Sequence, residues 1–188
     1  MQGEIEIIHG IQAIFASPAG KGFVVFCSRW LIYVFALLAA GTGLYRRRRD
    51  WRHAAIEAGW SALLALVAAL SLGELIGRIR PFQADGGINL LIPAPLSEYS
   101  FPSAHTAVAF AIASALAYAH ASFGFIAFAV AFLVAFGRVG AGVHYPSDVM
   151  AGALVGFLAF LAVRYLHKAI RRRDVKRAAE HLAPPPQP

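Results

Sequence analysis

The sequence predicts an all-α fold: a polytopic membrane bundle of about five transmembrane helices, preceded by an N-terminal amphipathic helix at the membrane interface. Three observations predict it. Hydrophobic residues make up 59% of the 188-residue chain, and the mean hydropathy of +0.60 is too high for an ordinary soluble domain. These residues fall into segments that match, or nearly match, the roughly 20 residues needed to cross a hydrocarbon core. The formal charge of +7 is concentrated in two runs, 46–49 with Arg52, and 171–173 with Lys176 and Arg177. In a soluble protein such runs suggest nucleic-acid binding. Beside long apolar segments they mark cytoplasmic anchors instead. The expected partner is therefore a lipid bilayer and not a nucleic acid.

The first twenty residues make a poor signal peptide, since they carry Glu4 and Glu6 and no Lys or Arg. Ile7, Ile8, Ile11, Ile14 and Phe15 recur at helical spacing and predict a short helix lying on the membrane surface. Residues 22–44 form a first span, in which Arg29 is near the starting end and is expected to snorkel outward. The first basic run follows, and 54–76 form a second span. A polar loop with Pro and Gly occupies 77–102, and a loop of that length usually has a function. Residues 105–119 and 123–136, joined by a turn at His120, predict a third and a fourth helix, both short for a span. Residues 148–165 predict a fifth. The chain thus reads as one domain, 1–188, with an interfacial helix at 1–20, a transmembrane core at 22–166 and a basic cytoplasmic tail at 167–188. The tail and its Pro-rich end, 184–188, are expected to be disordered. The single cysteine, Cys27, excludes an intrachain disulfide.

Placing the 46–52 cluster in the cytoplasm orients every span. Five crossings then bring the second basic run to the same side, as the positive-inside rule requires. The same count puts the 77–102 loop, the start of the third span and the connection before the fifth on the opposite, external side.

Three polar stretches converge there. The first carries Arg78 and Arg80 in GRIRPF. The second is FPSAHT, where Ser103 can cap the third helix and His105 sits in its first turn. The third holds Arg138, His144 and Asp148 in a very apolar part of the chain. Ionisable residues at a membrane edge are costly and functional by default. Pro146 and Ser147 signal a helix start, with Ser147 as cap. His144 and Asp148 then lie four apart on one face, so that the carboxylate can hold one ring nitrogen and leave the other free. Each residue alone has a plain explanation: an arginine anchors headgroups, and a serine or histidine caps a helix. Their coincidence on one face favours an anion site. Guanidiniums bind phosphate oxygens bidentately, two helix N-termini add donors, and two histidines can supply a nucleophile and an acid. A metal is a further option for two His and an Asp, but the arginines would repel a cation.

These stretches resemble the motifs of the type 2 phosphatidic acid phosphatase superfamily, integral-membrane lipid phosphatases. The first motif ends in Arg-Pro, here Arg80-Pro81. The second is Pro-Ser-x-His, here Pro102, Ser103, Ala104 and His105. The third is Ser-Arg, five residues, His, three residues, Asp, here Gly137, Arg138, His144 and Asp148. The short chain and external site are similar to the bacterial undecaprenyl-diphosphatase branch. The sequence departs from the pattern at Gly73, where the family usually has a lysine, at Ala104, commonly glycine, and at Gly137, usually serine. With Gly73 empty, Arg78 is the expected substitute cation.

The resemblance implies phosphoryl transfer through a phosphohistidine. His144 attacks, Asp148 orients it, His105 protonates the leaving oxygen, and Arg80, Arg138, Ser103 and backbone N–H groups bind phosphate oxygens. Arg78, as the substitute cation, is expected to join them. No metal and no cofactor are implied. The implied substrate is a polyprenyl diphosphate. Phosphatidate or phosphatidylglycerophosphate would use the same residues, and a non-catalytic lipid-phosphate binder or transporter is the alternative of a different class.

Overall fold

A computed structural model describes residues 2–45, 49–94 and 98–182. Among them there are helices and no strands. Two short helices, α1 (Gln2–Ile14) and α2 (Pro18–Val25), lead through a π-helical turn, π1 (Phe26–Trp30), into α3 (Leu31–Tyr45). Then come α4 (Arg49–Ile76), a single turn α5 (Pro81–Ala84), α6 (Ala104–Ala119), α7 (Ala121–Gly140) and α8 (Pro146–Leu182). Four segments are long and apolar enough to cross a membrane: Pro18–Gly43, Trp51–Ala84, Ala121–Gly140 and Pro146–Arg173. Ala104–Ala119 is a shorter apolar helix. The chain is a multi-pass membrane bundle of five such elements.

The short helix is the central one. α6 packs against α3, α4, α7 and α8, and Thr106, Ala107, Ala109, Ala111 and Ala113 are fully buried. A helix apolar on every side belongs inside a bundle, and its run of alanines lets neighbouring backbones approach closely. Gly152 and Gly156, spaced four apart on α8, meet it directly: a Cβ at Gly156 would lie 2.2 Å from the Ala107 carbonyl oxygen, and one at Gly152 would lie 2.6 Å from that of Ser103. Large side chains point outward, with Leu37 and Leu38 on α3 and Leu75 on α4 exposed. This is the distribution expected where lipid is the solvent.

Several expectations change. α1 does not simply lie on a membrane surface. Ile8 is fully buried and packs with Ile88, Val139 and Tyr145, and Gln12 donates to the carbonyls of Asn89 (2.7 Å) and Gly140 (3.1 Å). Ile8 and Ile11 of the isoleucine stripe dock against the bundle, while Ile7 and Ile14 stay exposed on the side left to face the membrane. The fourth helix is longer than expected, because it continues through Gly137 and Arg138 to Gly140. The tail is helical to Leu182, since no Gly or Pro interrupts 157–182. Residues 46–48 of the first basic run, and the Pro-rich end, lie outside the described residues.

One end of the bundle collects the start of α4, the α6–α7 turn and the far part of α8. Trp51 stacks on His120 at 3.8 Å, and buried Glu57 accepts from Arg164 (2.9 Å) and pairs with His167 (2.5 Å). The other end holds α1, α5 and the polar loops. The helix count therefore separates the basic end from the polar-loop end.

Candidate active site

His144 lies in the turn between α7 and α8. This turn needs Gly142, which has φ +76, a conformation that side chains other than glycine rarely adopt. The ring is buried. Its Nδ1 is 2.7 Å from the Ser100 carbonyl oxygen, which can only accept, so Nδ1 carries the proton. Nε2 therefore presents its lone pair, and Arg80 Nη1 and Arg138 Nη2 each lie 3.4 Å from it. Burial pushes the His144 pKa down to about 4. Asp148 opposes that shift, and Arg138 and Arg80 add to it. The imidazole is neutral at pH 7, as a nucleophile must be.

Asp148 is fully buried in the first turn of α8. Its Oδ2 lies 3.7 Å from His144 Nδ1, beyond hydrogen-bond range but close enough to stabilise a positive ring. The sequence expectation that the carboxylate holds the ring nitrogen is thus modified: the Ser100 carbonyl holds it, and Asp148 supplies the field. The carboxylate is fixed from several directions. It accepts from Ser100 Oγ, from the Tyr145 backbone N–H (2.8 Å) and from Arg78 Nη1 (2.7 Å). The Tyr145 bond is the reach-back half of a capping box, in which a third-position acid satisfies the cap residue's N–H. It places the cap at Tyr145, so Ser147 lies inside the helix and is not its cap.

Arg80 has extended backbone, with φ −80 and ψ 153, and its Nη1 donates to the Val143 carbonyl at 2.9 Å. Arg138, in the last turn of α7, reaches the carbonyl oxygen (3.3 Å) and Oγ (3.4 Å) of Ser28. Its Nε is buried without a hydrogen-bond partner, an unsatisfied donor that calls for an anion. Both guanidiniums line a cavity of about 380 Å³ with His105, His144, Gly73 and Arg29, whose walls include Leu66, Leu70 and Ile92. His105 is half-buried in it. The structure thus brings together His105, His144, Arg80 and Arg138, with Asp148 directly behind.

Two expected phosphate ligands lie elsewhere. Ser103 caps α6, and its Oγ accepts from the Thr106 backbone N–H (3.5 Å) and hydroxyl (3.0 Å); it is buried and absent from the cavity wall. Arg78 is on the far side of the pair. The backbone at 77–80 is non-helical, as a shared direction with Arg80 required, yet Arg78 bonds Ser147 Oγ (2.6 Å), Asp148 and Glu4 Oε2 (2.8 Å) and stacks on the Tyr145 ring at 3.9 Å. Two carboxylates outcompete a phosphate for it. Arg29, expected to snorkel outward, faces the cavity.

Ser100 and Glu4 were not legible beforehand. Ser100 touches both His144 and Asp148 from an aperiodic loop. Glu4 Oε1 accepts from Ser147 N at 2.9 Å at the positive end of α8. Burial raises the Glu4 pKa, but the bonds from Ser147 and Arg78 outweigh it and the net shift is downward. The available signal was an acid, Glu4, at the head of a stripe of isoleucines, which Glu6 beside it shares.

Because Arg78 holds Asp148 and is absent from the cavity wall, Arg78→Ala is expected to lower kcat about 10- to 100-fold with little change in KM, as a positioning loss does. Arg78→Lys should recover part of it. Steady-state phosphate release from purified protein measures both.

Comparison with known proteins shows the family. A family model described as the PAP2 superfamily matches residues 54–172. The bacitracin transport permease protein BcrC of Bacillus licheniformis is 34% identical over 144 residues, 74% of this chain and 68% of that one. The undecaprenyl-diphosphatase BcrC of Bacillus subtilis is 30% identical over 157 residues, 81% of this chain and 79% of the relative. The crystal structure of Aquifex aeolicus LpxE superposes with a TM-score of 0.64 at 27% identity, covering 84% of this chain and 93% of that one.

Proposed function

Because the chain belongs to the PAP2 superfamily and is a membrane lipid phosphatase, we propose that it hydrolyses undecaprenyl diphosphate to the monophosphate through a phosphohistidine on His144. One observation carries the mechanism: a neutral, buried imidazole whose Nε2 faces a cavity between two guanidiniums. Nε2 attacks the terminal phosphorus, and the bridging P–O bond breaks. Arg80 and Arg138 stabilise the charge on the equatorial oxygens. His105, on the same cavity wall, gives its proton to the leaving oxygen, then takes one from the water that hydrolyses the phosphohistidine. Asp148 stabilises the positive ring throughout. The apolar wall suits the lipid tail, and the relative named undecaprenyl-diphosphatase supports the polyprenyl choice. A phosphatidate or phosphatidylglycerophosphate substrate would use the same groups. The Bacillus licheniformis relative carries a transporter's name, but a pure binder has no need of a nucleophile held in one tautomer.

Phosphate release from purified protein, measured with undecaprenyl diphosphate against phosphatidate and phosphatidylglycerophosphate, tests this reading. The polyprenyl diphosphate is expected to give the highest kcat/KM. Preference for a glycerolipid overturns the substrate, and absence of release from all of them overturns the enzyme. The same assay should proceed in excess EDTA and be inhibited by vanadate, whose trigonal-bipyramidal adduct mimics the transition state. Activity lost to EDTA and restored by Mg²⁺ would count against arginine-based charge stabilisation.

The proposed location is the inner (plasma) membrane, with the cavity facing the periplasm or the cell exterior, on the strength of the charge asymmetry between the two ends. A cysteine at Gly86, exposed beside α5, is expected to react with an impermeant maleimide on intact cells. One at exposed Arg52 should react only after lysis. The reverse pattern overturns the orientation.

A further inference from the structure

The cavity carries a third guanidinium that the mechanism has not used. Arg29 lines it with Arg80 and Arg138. It has no carboxylate partner among the described residues, and its recorded contact is with the neighbouring Trp30 ring at 5.2 Å. Arg80 and Arg138 are both buried beside His144, whereas Arg29 is exposed. The deep pair therefore holds the phosphoryl group under attack, and Arg29 sits further out, on the lipid-facing first span.

Its placement depends on π1. That turn widens the helix by one residue, and such insertions often mark functional sites. Here it presents consecutive residues to the site. Ser28 is fully buried against Arg138, and Arg29 enters the cavity. The turn presses on α7 so closely that a Cβ at Gly137 would lie 2.5 Å from the Ser28 backbone nitrogen. Residue 137 carries no hydroxyl, and Ser28, from another helix, places one beside Arg138. The wall at Gly73, where the pattern has a lysine, is open: a Cβ there would meet the Phe101 carbonyl oxygen at 3.4 Å and Tyr99 Cβ at 3.9 Å, ordinary contacts. Gly137 meets this turn and Gly73 shares the cavity wall with Arg29, and the turn lies outside the matched residues 54–172.

We propose that Arg29 binds the phosphate that is not transferred, the one that stays on the prenyl chain, and so makes the site selective for lipid diphosphates over lipid monophosphates. This rests on the phosphatase reading above. A monophosphate presents no second phosphate to an outer guanidinium. A diphosphate presents the charge that builds on the leaving group as the bridging bond breaks.

Two readouts on purified wild-type, Arg29→Ala, Arg29→Lys and Arg29→Ala/Gly73→Lys proteins test it. The first is the ratio of kcat/KM for a polyprenyl diphosphate to that for a polyprenyl monophosphate. The second is the Kd of a non-hydrolysable polyprenyl methylenediphosphonate. Arg29→Ala is expected to lower the ratio and weaken the diphosphonate about 10- to 100-fold each, as loss of a charge-assisted contact does. Arg29→Lys should retain an intermediate ratio, and adding Gly73→Lys should restore part of what Arg29→Ala loses. An equal loss on both substrates places Arg29 on the transferred phosphoryl and overturns the assignment, and no loss on either makes it a headgroup anchor. If wild type binds the diphosphonate in an Arg29-dependent way yet releases no phosphate, the phosphatase reading fails and the diphosphate site stands.

Discussion

His144→Ala is expected to release no measurable phosphate, a fall on the order of 10⁴-fold or more, because among the described residues no other group on the cavity wall presents an unprotonated nitrogen between two guanidiniums. The variant should still fold, since the ring's one short contact is to the Ser100 carbonyl. Rapid quenching with labelled substrate should trap an acid-labile, base-stable phosphoprotein in wild type and none in the variant. The pH dependence follows from the same ring. The neutral form attacks, and burial holds the pKa at about 4, below the ordinary value near 6.5. Formation of the phosphoenzyme should therefore stay level from neutral pH to about 5 as far as this group is concerned, and fall as the pH drops through about 4. A fall centred near 6.5 would mean a solvated imidazole and would overturn the buried geometry. Asp148→Asn should keep the bonds from Ser100 and Tyr145 but lose the charge. The phosphoenzyme should then form slowly, which separates field from positioning.

The candidate site residues were legible because each motif sits at a helix terminus or in a tight turn, where few spacings are possible. His105 follows a cap that the Pro-Ser pair announces, and His144 and Asp148 are separated by one helical turn. The spans were legible because lipid exposure enforces long apolar runs. What the sequence hid was lateral. Ser28 reaches Arg138 across 110 positions, and Ser100 reaches Asp148 across 48; neither distance leaves a periodic trace. Arg78 was misplaced for the same reason. Its extended backbone was foreseeable, but which of two opposite sides of the His144–Asp148 pair it would occupy depended on Glu4, far away in a helix that reads as membrane-facing. Glycines at 137 and 140 do not end α7, which runs past the expected 136. Here they are close-approach positions: Gly137 meets π1, and a Cβ at Gly140 would lie 3.1 Å from Ile11 on α1 and from Val24 on α2.

Gly156→Ala is expected to lower both stability and turnover sharply, far more than its single methyl would suggest. The new Cβ would lie 2.2 Å from the Ala107 carbonyl oxygen and 2.9 Å from the Ala111 nitrogen. These are backbone atoms of the central helix, so no rotamer change can relieve the overlap, and α6 and α8 must separate by more than an ångström. Ordinary overpacking costs about 1 to 3 kcal/mol, and a backbone-on-backbone clash belongs at the top of that range or above it. The catalytic consequence comes from what the two helices carry. α6 positions His105 and α8 positions Asp148, while the Ser103 N–H bonds the Asp148 carbonyl at 3.0 Å where they meet. A displacement of about 1 Å between the proposed acid, His105, and the proposed nucleophile, His144, is worth about a hundredfold in rate. Thermal unfolding in detergent and kcat, measured below the variant's own transition, check the two effects separately. Gly59→Ala is the control, because nothing lies within 4 Å of a Cβ there, and it should leave both unchanged. If Gly156→Ala matches that control, the α6–α8 contact is looser than described and does not set the geometry of the site.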